Sequence, residues 1–324
     1  MKNEYDILKV FAILLVVIGH ITAIYSPQSS FQDVAVSPVL TAVTKIIYLF
    51  HMPLFIALSG AIFEYGVSNG KYKEFKPFLI NKVKRIIVPY LFVGIMFLIP
   101  TLVLINNVNF TSCIYDIYVI GGGNSKHLWY LGAIIWCFIF GWLLERLHIN
   151  CYLAFAVSIG VVMVYSAFIK NNYFQIGNGV GALPSFLFGM MMTRYDVKRH
   201  FLSIITCFIV LMVLKIGIDM MPQPLVKQLC CLLLPYPIIL VLYIIAKHWL
   251  SVLLKSSCMH FILKNSFPIY LFHVECIYLI FHYYRNEIEM YILVPISIVI
   301  SITVSIFLAN IFRICKVSFL IGEK

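Results

Sequence analysis

Asp6-Ile7-Leu8-Lys9-Val10-Phe11-Ala12-Ile13-Leu14-Leu15-Val16-Val17-Ile18-Gly19-His20 is the stretch from which the fold can be read. It opens an apolar run over residues 7–25, close to the length of about 20 residues that a helix needs to cross a bilayer. The run carries an imidazole at membrane depth. An ionisable group there is costly, which marks a functional site by default. Lys9 and His20 are about three turns apart and share a helix face to within about 20°. Asp6 falls on the same stripe, about 40° away. His20, Lys9 and Asp6 are therefore the first candidates for catalysis. The plainer reading of His20 is a satisfied polar contact between packed helices.

The rest of the chain repeats the pattern. Of 324 residues, 62% are hydrophobic and 11% charged, and the mean hydropathy is +0.97. Apolar runs recur at 7–25, 42–62, 86–105, 128–146, 151–169, 178–193, 200–218, 228–246, 267–283 and 291–312. In hydrocarbon every backbone N–H and C=O must find its partner inside the segment, so such runs fold as helices. The expected fold is an all-α integral membrane protein of about ten transmembrane helices, forming one domain over 1–324. The run at 178–193 is the weakest, because Gly177, Gly179, Gly181 and Pro184 interrupt it. The first run is too long for a cleavable signal peptide and lacks a small-residue cleavage site.

Basic residues set the orientation. With both termini cytoplasmic, Lys45, Lys126, Lys170, Lys215, Lys227 and Arg285 fall outside and the other eighteen of the 24 Lys and Arg fall inside, Lys2, Lys198, Arg199, Lys255 and Lys324 among them. That bias follows the positive-inside rule. It also accounts for the net charge of +11 without nucleic acid, since basic loops favour the anionic cytoplasmic leaflet.

Several chemistries are not suggested. The nine cysteines are scattered, Cys230 and Cys231 are adjacent, and there is no C-x-x-C, so neither a disulfide framework nor a zinc site is indicated. No H-E-x-x-H, Walker loop or G-x-S-x-G occurs. No metal is expected.

Polar constellations remain beside the apolar runs. The loop over 65–85 carries Lys71, Lys73, Lys76, Lys82, Lys84 and Arg85. Lys82 and Arg85 are three apart and share a helical face. Such a pair can grip a phosphate, the guanidinium supplying forked donors, while membrane anchoring suffices for the first three lysines. His51 lies in the outer half of the second run beside Pro53, in Phe50-His51-Met52-Pro53, which can free backbone carbonyls. Lys126-His127-Leu128-Trp129-Tyr130-Leu131 opens the fourth run, where Trp and Tyr usually form an interfacial belt. Ser266-Phe267-Pro268-Ile269-Tyr270-Leu271-Phe272-His273-Val274-Glu275 opens the ninth. His273 and Glu275 are two apart and cannot share one helical face, so at least one is expected to meet a polar cavity.

In order and spacing these motifs resemble the integral-membrane acyltransferase-3 family, most nearly its branch of fucose 4-O-acetylases and the enterobacterial common antigen O-acetyltransferase. The resemblance runs through nearly the whole chain and rests on 6–20, 50–60, Lys82-x-x-Arg85-x-x-x-Pro89, 127–131 and 266–273. It implies a bacterial cytoplasmic-membrane enzyme that moves an acyl group, usually acetyl, from cytoplasmic acetyl-CoA to a hydroxyl of a cell-surface glycan or lipid-linked sugar. It assigns His20 to catalysis and Lys82, Lys84 and Arg85 to the CoA end, and it brings His51, Trp129, Tyr270, His273 and Glu275 forward for the substrate. Many relatives carry Arg where this chain has Lys9, and Arg-x-x-Arg where it has Lys82-x-x-Arg85, so the forked donor set is lost at two positions.

The expected partners are acetyl-CoA, the glycan acceptor and membrane lipids, with homo-oligomerisation left open. His20 acts either as general base on the sugar hydroxyl or through an acyl-histidine intermediate. A transporter or flippase for a lipid-linked sugar is the alternative, since basic loops, buried histidines and broken helices suit it too.

Overall fold

A computed structural model describes residues 3–323 except 28, 30, 32, 170–171, 195–200, 221–222, 249 and 251–255. Of the cations counted toward orientation, Lys2, Lys170, Lys198, Arg199, Lys255 and Lys324 lie outside the described residues. Those residues form eleven long helical segments, joined by turns and short 3-10 pieces, and no strand. They are α1 (Asn3–Ala23), α2 (Pro38–Ser68), α3 (Phe75–Asn106), α4 (Phe110–Ile120), α5 (Trp129–Arg146), α6 (Cys151–Phe168), α7 (Ile176–Arg194), α8 (Phe201–Met220), α9 (Pro224–His248), α10 (Ser257–Tyr284) and α11 (Met290–Ile314).

Among the described residues seven helices, α1, α2, α3, α5, α6, α9 and α11, are long and apolar enough to cross a membrane. The three other expected runs overlap α7, α8 and α10. In α7 glycines dilute the apolar signal, and in α10 Lys264, Asn265, Ser266, His273 and Glu275 do so. The family of apolar side chains left exposed on α6, including Val157, Val161, Val164 and Phe168, presents a surface suited to lipid.

Local sequence explains the helix ends and bends. Pro38 starts α2 behind the Ser37 cap, whose Oγ accepts from Leu40 N at 3.4 Å. Asn109 and Asn150 cap α4 and α6 in the same way. Within α3 two π-turns, Val83–Ile87 and Gly94–Leu98, run up to Pro89 and Pro100. A proline offers no N–H to the carbonyl four residues back, and the helix widens to keep its remaining bonds.

The centre of the bundle is α2 against α7, with α1 packed on α2, α5 on α7, and α10 on the side of α1. The two backbones touch. A Cβ at Gly60 would lie 1.9 Å from Phe186 O, and one at Gly189 would lie 1.8 Å from Ala57 O. Small residues at this crossing permit the close approach that packs helices in lipid. Phe63, Leu54 and Phe186 fill the space around it and are fully buried, while Phe272 packs on Phe97 and Phe312.

Candidate active site

Two cavities occupy opposite ends of α1. The first, about 480 Å³, is basic. Lys9 of α1, Lys82 and Arg85 of α3, and Lys264 of α10 line it, with Ser59, Tyr130 and Tyr270 deeper in. The π-turn at Val83–Ile87 carries Arg85 toward this space. The Lys82 ammonium sits 3.4 Å from the centroid of Phe138, with Tyr72 and Phe78 also within 6 Å. Burial pushes the Tyr72 phenol above its ordinary range, and the Arg85 guanidinium, the weaker influence, pulls it back. Glu323 brings one carboxylate to the rim, clamped by Arg313 with Nε to Oε2 at 2.7 Å.

The second cavity, about 780 Å³, holds His20. Lys45, Thr41, Thr44 and Tyr48 of α2 and Tyr278 of α10 also line it. Its hydroxyl groups are largely engaged within the fold: Thr41 Oγ1 donates to Tyr25 O, Thr44 Oγ1 to Leu40 O, and Ser26 Oγ to Ala23 O.

Polar rings join the two cavities through the interior. The His273 ring lies 5.2 Å from that of His20, and the His127 ring lies 5.2 Å from His273. Tyr270, 5.5 Å from His127, reaches the basic cavity, and its hydroxyl donates to His127 O. His127, His273 and Glu275 are all buried. His273 Nδ1 faces the carbonyls of Ile269 and Tyr270, at 3.0 and 2.8 Å, so this nitrogen carries the hydrogen and Nε2 keeps its lone pair. By the same argument His127 donates from Nε2 to Leu271 O at 3.1 Å and keeps a lone pair on Nδ1. His273 Nε2, His127 Nδ1 and both Glu275 oxygens have no hydrogen-bond partner among the described residues. Unpaired buried polar atoms are expensive, and their concentration here points to a working site. Among the described residues no group of three or more metal-ligating side chains is arranged to hold a metal ion.

The family model described as an acyltransferase domain matches residues 2–310. The chain belongs to the acyltransferase-3 family. No curated protein and no solved structure matches it. With its apolar helices, this acyltransferase-3 chain is an integral-membrane acyltransferase.

Within that frame the expected residues separate into two groups and some strays. Lys9 and His20 share a stripe of α1 but line different cavities, because eleven residues of helix span about 16 Å. Asp6 lines neither, and its Oδ1 is buried without a partner. Lys82, Arg85 and Tyr270 meet at the basic cavity, while Lys84 is exposed and points elsewhere. His51 donates from Nδ1 to Ile47 O at 2.9 Å and packs on Tyr48, at 4.8 Å between rings. His273 and Glu275, expected on different faces with at least one at a polar cavity, instead both face buried His127, whose Nε2 is 3.8 Å from Glu275 Oε1, and neither lines the two cavities. Trp129 lies outside both cavities and lines two smaller ones. Sequence reasoning passed over His127, Lys264 and Tyr130. The first stood inside a quoted motif, but nothing in a linear pattern shows that it meets His273 across 146 residues.

Proposed function

We propose that this membrane acyltransferase transfers acetyl from acetyl-CoA to a hydroxyl of a surface glycan or lipid-linked sugar, with His20 as general base. The observation that carries the reading is the pairing of a four-cation cavity at one end of α1 with a histidine cavity at the other, joined by polar rings. CoA phosphates cannot enter hydrocarbon, and Lys9, Lys82, Arg85 and Lys264 offer them a charged seat. The basic-loop bias supports a cytoplasmic position for this seat, in what we read as a bacterial inner membrane. The pantetheine arm then reaches past Tyr130 and Tyr270 toward the histidines.

The acceptor enters from the His20 side. His20 takes the hydroxyl proton as the oxygen attacks the acyl carbon. The C–O bond forms, the C–S bond breaks and the CoA thiolate leaves into the basic cavity, and the proton taken by His20 passes through water to the thiolate, which frees the base again. The deprotonated His273 Nε2, 5.2 Å between rings from His20, supplies an acceptor that can orient the base.

The test is acetyl transfer by equal amounts of membrane protein carrying Gln at position 20, 51, 127 or 273. His20→Gln keeps polarity without basicity and is expected to lose about 10²-fold or more in turnover while still binding acetyl-CoA. Near-normal turnover by His20→Gln sinks the mechanism. Absence of acetyl-CoA turnover in the wild type overturns acetyl-CoA as the donor and points to another acyl donor for this acyltransferase.

A further inference from the structure

The His20 cavity does not end at its own walls. It shares Leu49 and Cys231 with a second cavity of about 340 Å³. That one shares Trp129 and Asn178 with a third of about 390 Å³, which the Gly121–Gly123 loop and Asn172 also line. The three adjoin in series, leading away from His20. Gly181 lines the middle section, and a Cβ there would meet nothing within 4 Å, so the passage is open at that point.

The far section is chemically unlike the near one. Trp129 is half-buried, and its indole N–H has no partner among the described residues, whereas Trp136 and Trp142 donate to Phe174 O and Tyr72 O. Asn178 is held by an amide network: its backbone N donates to Asn172 Oδ1 at 2.9 Å and its Nδ2 to Gln175 Oε1 at 2.6 Å. The Gln175 amide is fixed in turn, Nε2 donating to Ser125 Oγ at 2.9 Å. That leaves Asn178 Oδ1 as a positioned acceptor without a donor among the described residues. A network serving only to pin the glycine loop has no need to leave a donor and an acceptor open, both on residues shared by the same two cavities.

We propose that the acceptor is an oligosaccharide of at least two units, and that a unit remote from the reacting hydroxyl stacks on Trp129 and hydrogen-bonds Asn178. The proposal rests on the acyl-transfer reading above. A pyranose has an apolar C–H face and a rim of hydroxyls. The indole face takes the first, while the indole N–H and an amide oxygen take the second. A groove of this size is in the range of specific ligand sites.

The experiment uses the source organism's own surface glycan, de-O-acetylated with base, cleaved with mild acid and sized into fragments of one to four sugars. Wild-type membranes receive each fragment with radiolabelled acetyl-CoA. The expected result is a rise in kcat/KM of about tenfold between one-sugar and three-sugar fragments, the scale of one good aromatic contact. Trp129→Ala abolishes the rise, Trp129→Phe keeps part of it, and Gly181→Leu, which adds bulk to the middle section, abolishes it as well. Retained acetyl-CoA binding reports that each variant is folded. Equal rates on short and long fragments in the wild type overturn the proposal, as does persistence of the rise in both Trp129→Ala and Gly181→Leu. If the wild type acetylates no fragment of any length, it is the acyl-transfer reading that has failed.

Discussion

At the scale of single residues, charge placement separates neighbours that look alike in the sequence. Lys82, Lys84 and Arg85 crowd one segment, yet only the first and last line the basic cavity. Charge-assisted hydrogen bonds contribute about 1.5–3 kcal/mol each. Lys82→Ala and Arg85→Ala are therefore expected to weaken acetyl-CoA binding by about ten- to a hundredfold, measured by isothermal titration on detergent-solubilised protein. Lys84→Ala should stay close to wild type. Equal losses at all three positions would mean that a diffuse basic surface, rather than the cavity, holds the donor. Lys264→Ala belongs with the first pair, though its position on α10 gave no hint of it. The histidines divide in the same way: His20 borders a cavity, while His127 and His273 are sealed behind it with unpaired nitrogens.

At the scale of elements, the site depends on how closely α2 and α7 approach. Each carries a glycine whose missing Cβ makes room for the other's carbonyl. Alanine at either position forces the helices apart, and overpacking of this kind costs about 1–3 kcal/mol. Gly60→Ala and Gly189→Ala should each lower the melting temperature of the purified protein by several degrees and reduce acetyl transfer. Gly160→Ala on α6, where a Cβ meets nothing within 4 Å, should do neither. A Gly60→Ala variant as stable as wild type would show that the crossing is softer than its geometry. Glu64, buried on α2, and Arg194 at the end of α7 fasten the same pair of helices with a forked ion pair, Nε to Oε1 at 3.0 Å and Nη2 to Oε2 at 2.8 Å. Removing Arg194 strands the buried Glu64 carboxylate, whereas Arg194 keeps Glu145 as a second partner when Glu64 is removed.

At the scale of the whole molecule, the two cavities have functional meaning only if they face opposite sides of the membrane. The expected topology has ten crossings and both termini inside. α4 is 11 residues long, about 16 Å as a helix, and is too short to add a crossing. A periplasm-active reporter fused after Lys126 should be active, and the same reporter fused at the C-terminus should be silent. Matching signals from the two fusions would refute the crossing number and with it the assignment of the basic cavity to the cytoplasm.

The helical fold was legible because its causes are local. Runs of about 20 apolar residues must satisfy their own backbones in lipid, whatever surrounds them. His20, Lys82 and Arg85 stood out for a related reason, since a charge near hydrocarbon is conspicuous against an apolar background. The family, too, could be recognised from motifs in linear order. What tertiary structure alone decided is which of these residues meet. The α1 stripe joins Lys9 and His20 by periodicity, but its length sends them to different cavities. His127 reaches His273 and Glu275, and Lys264 lines one cavity with Lys82, only because α10 packs beside α1 and α3 and sets Tyr270 against Tyr130 of α5. Trp129 finds Asn178 through a turn at Phe174 and Gln175, where positive φ angles of 52° and 61° reverse the chain. Period and hydropathy are properties of one segment, whereas a cavity is bounded by several, and the sequence carries no direct record of how far apart they stand.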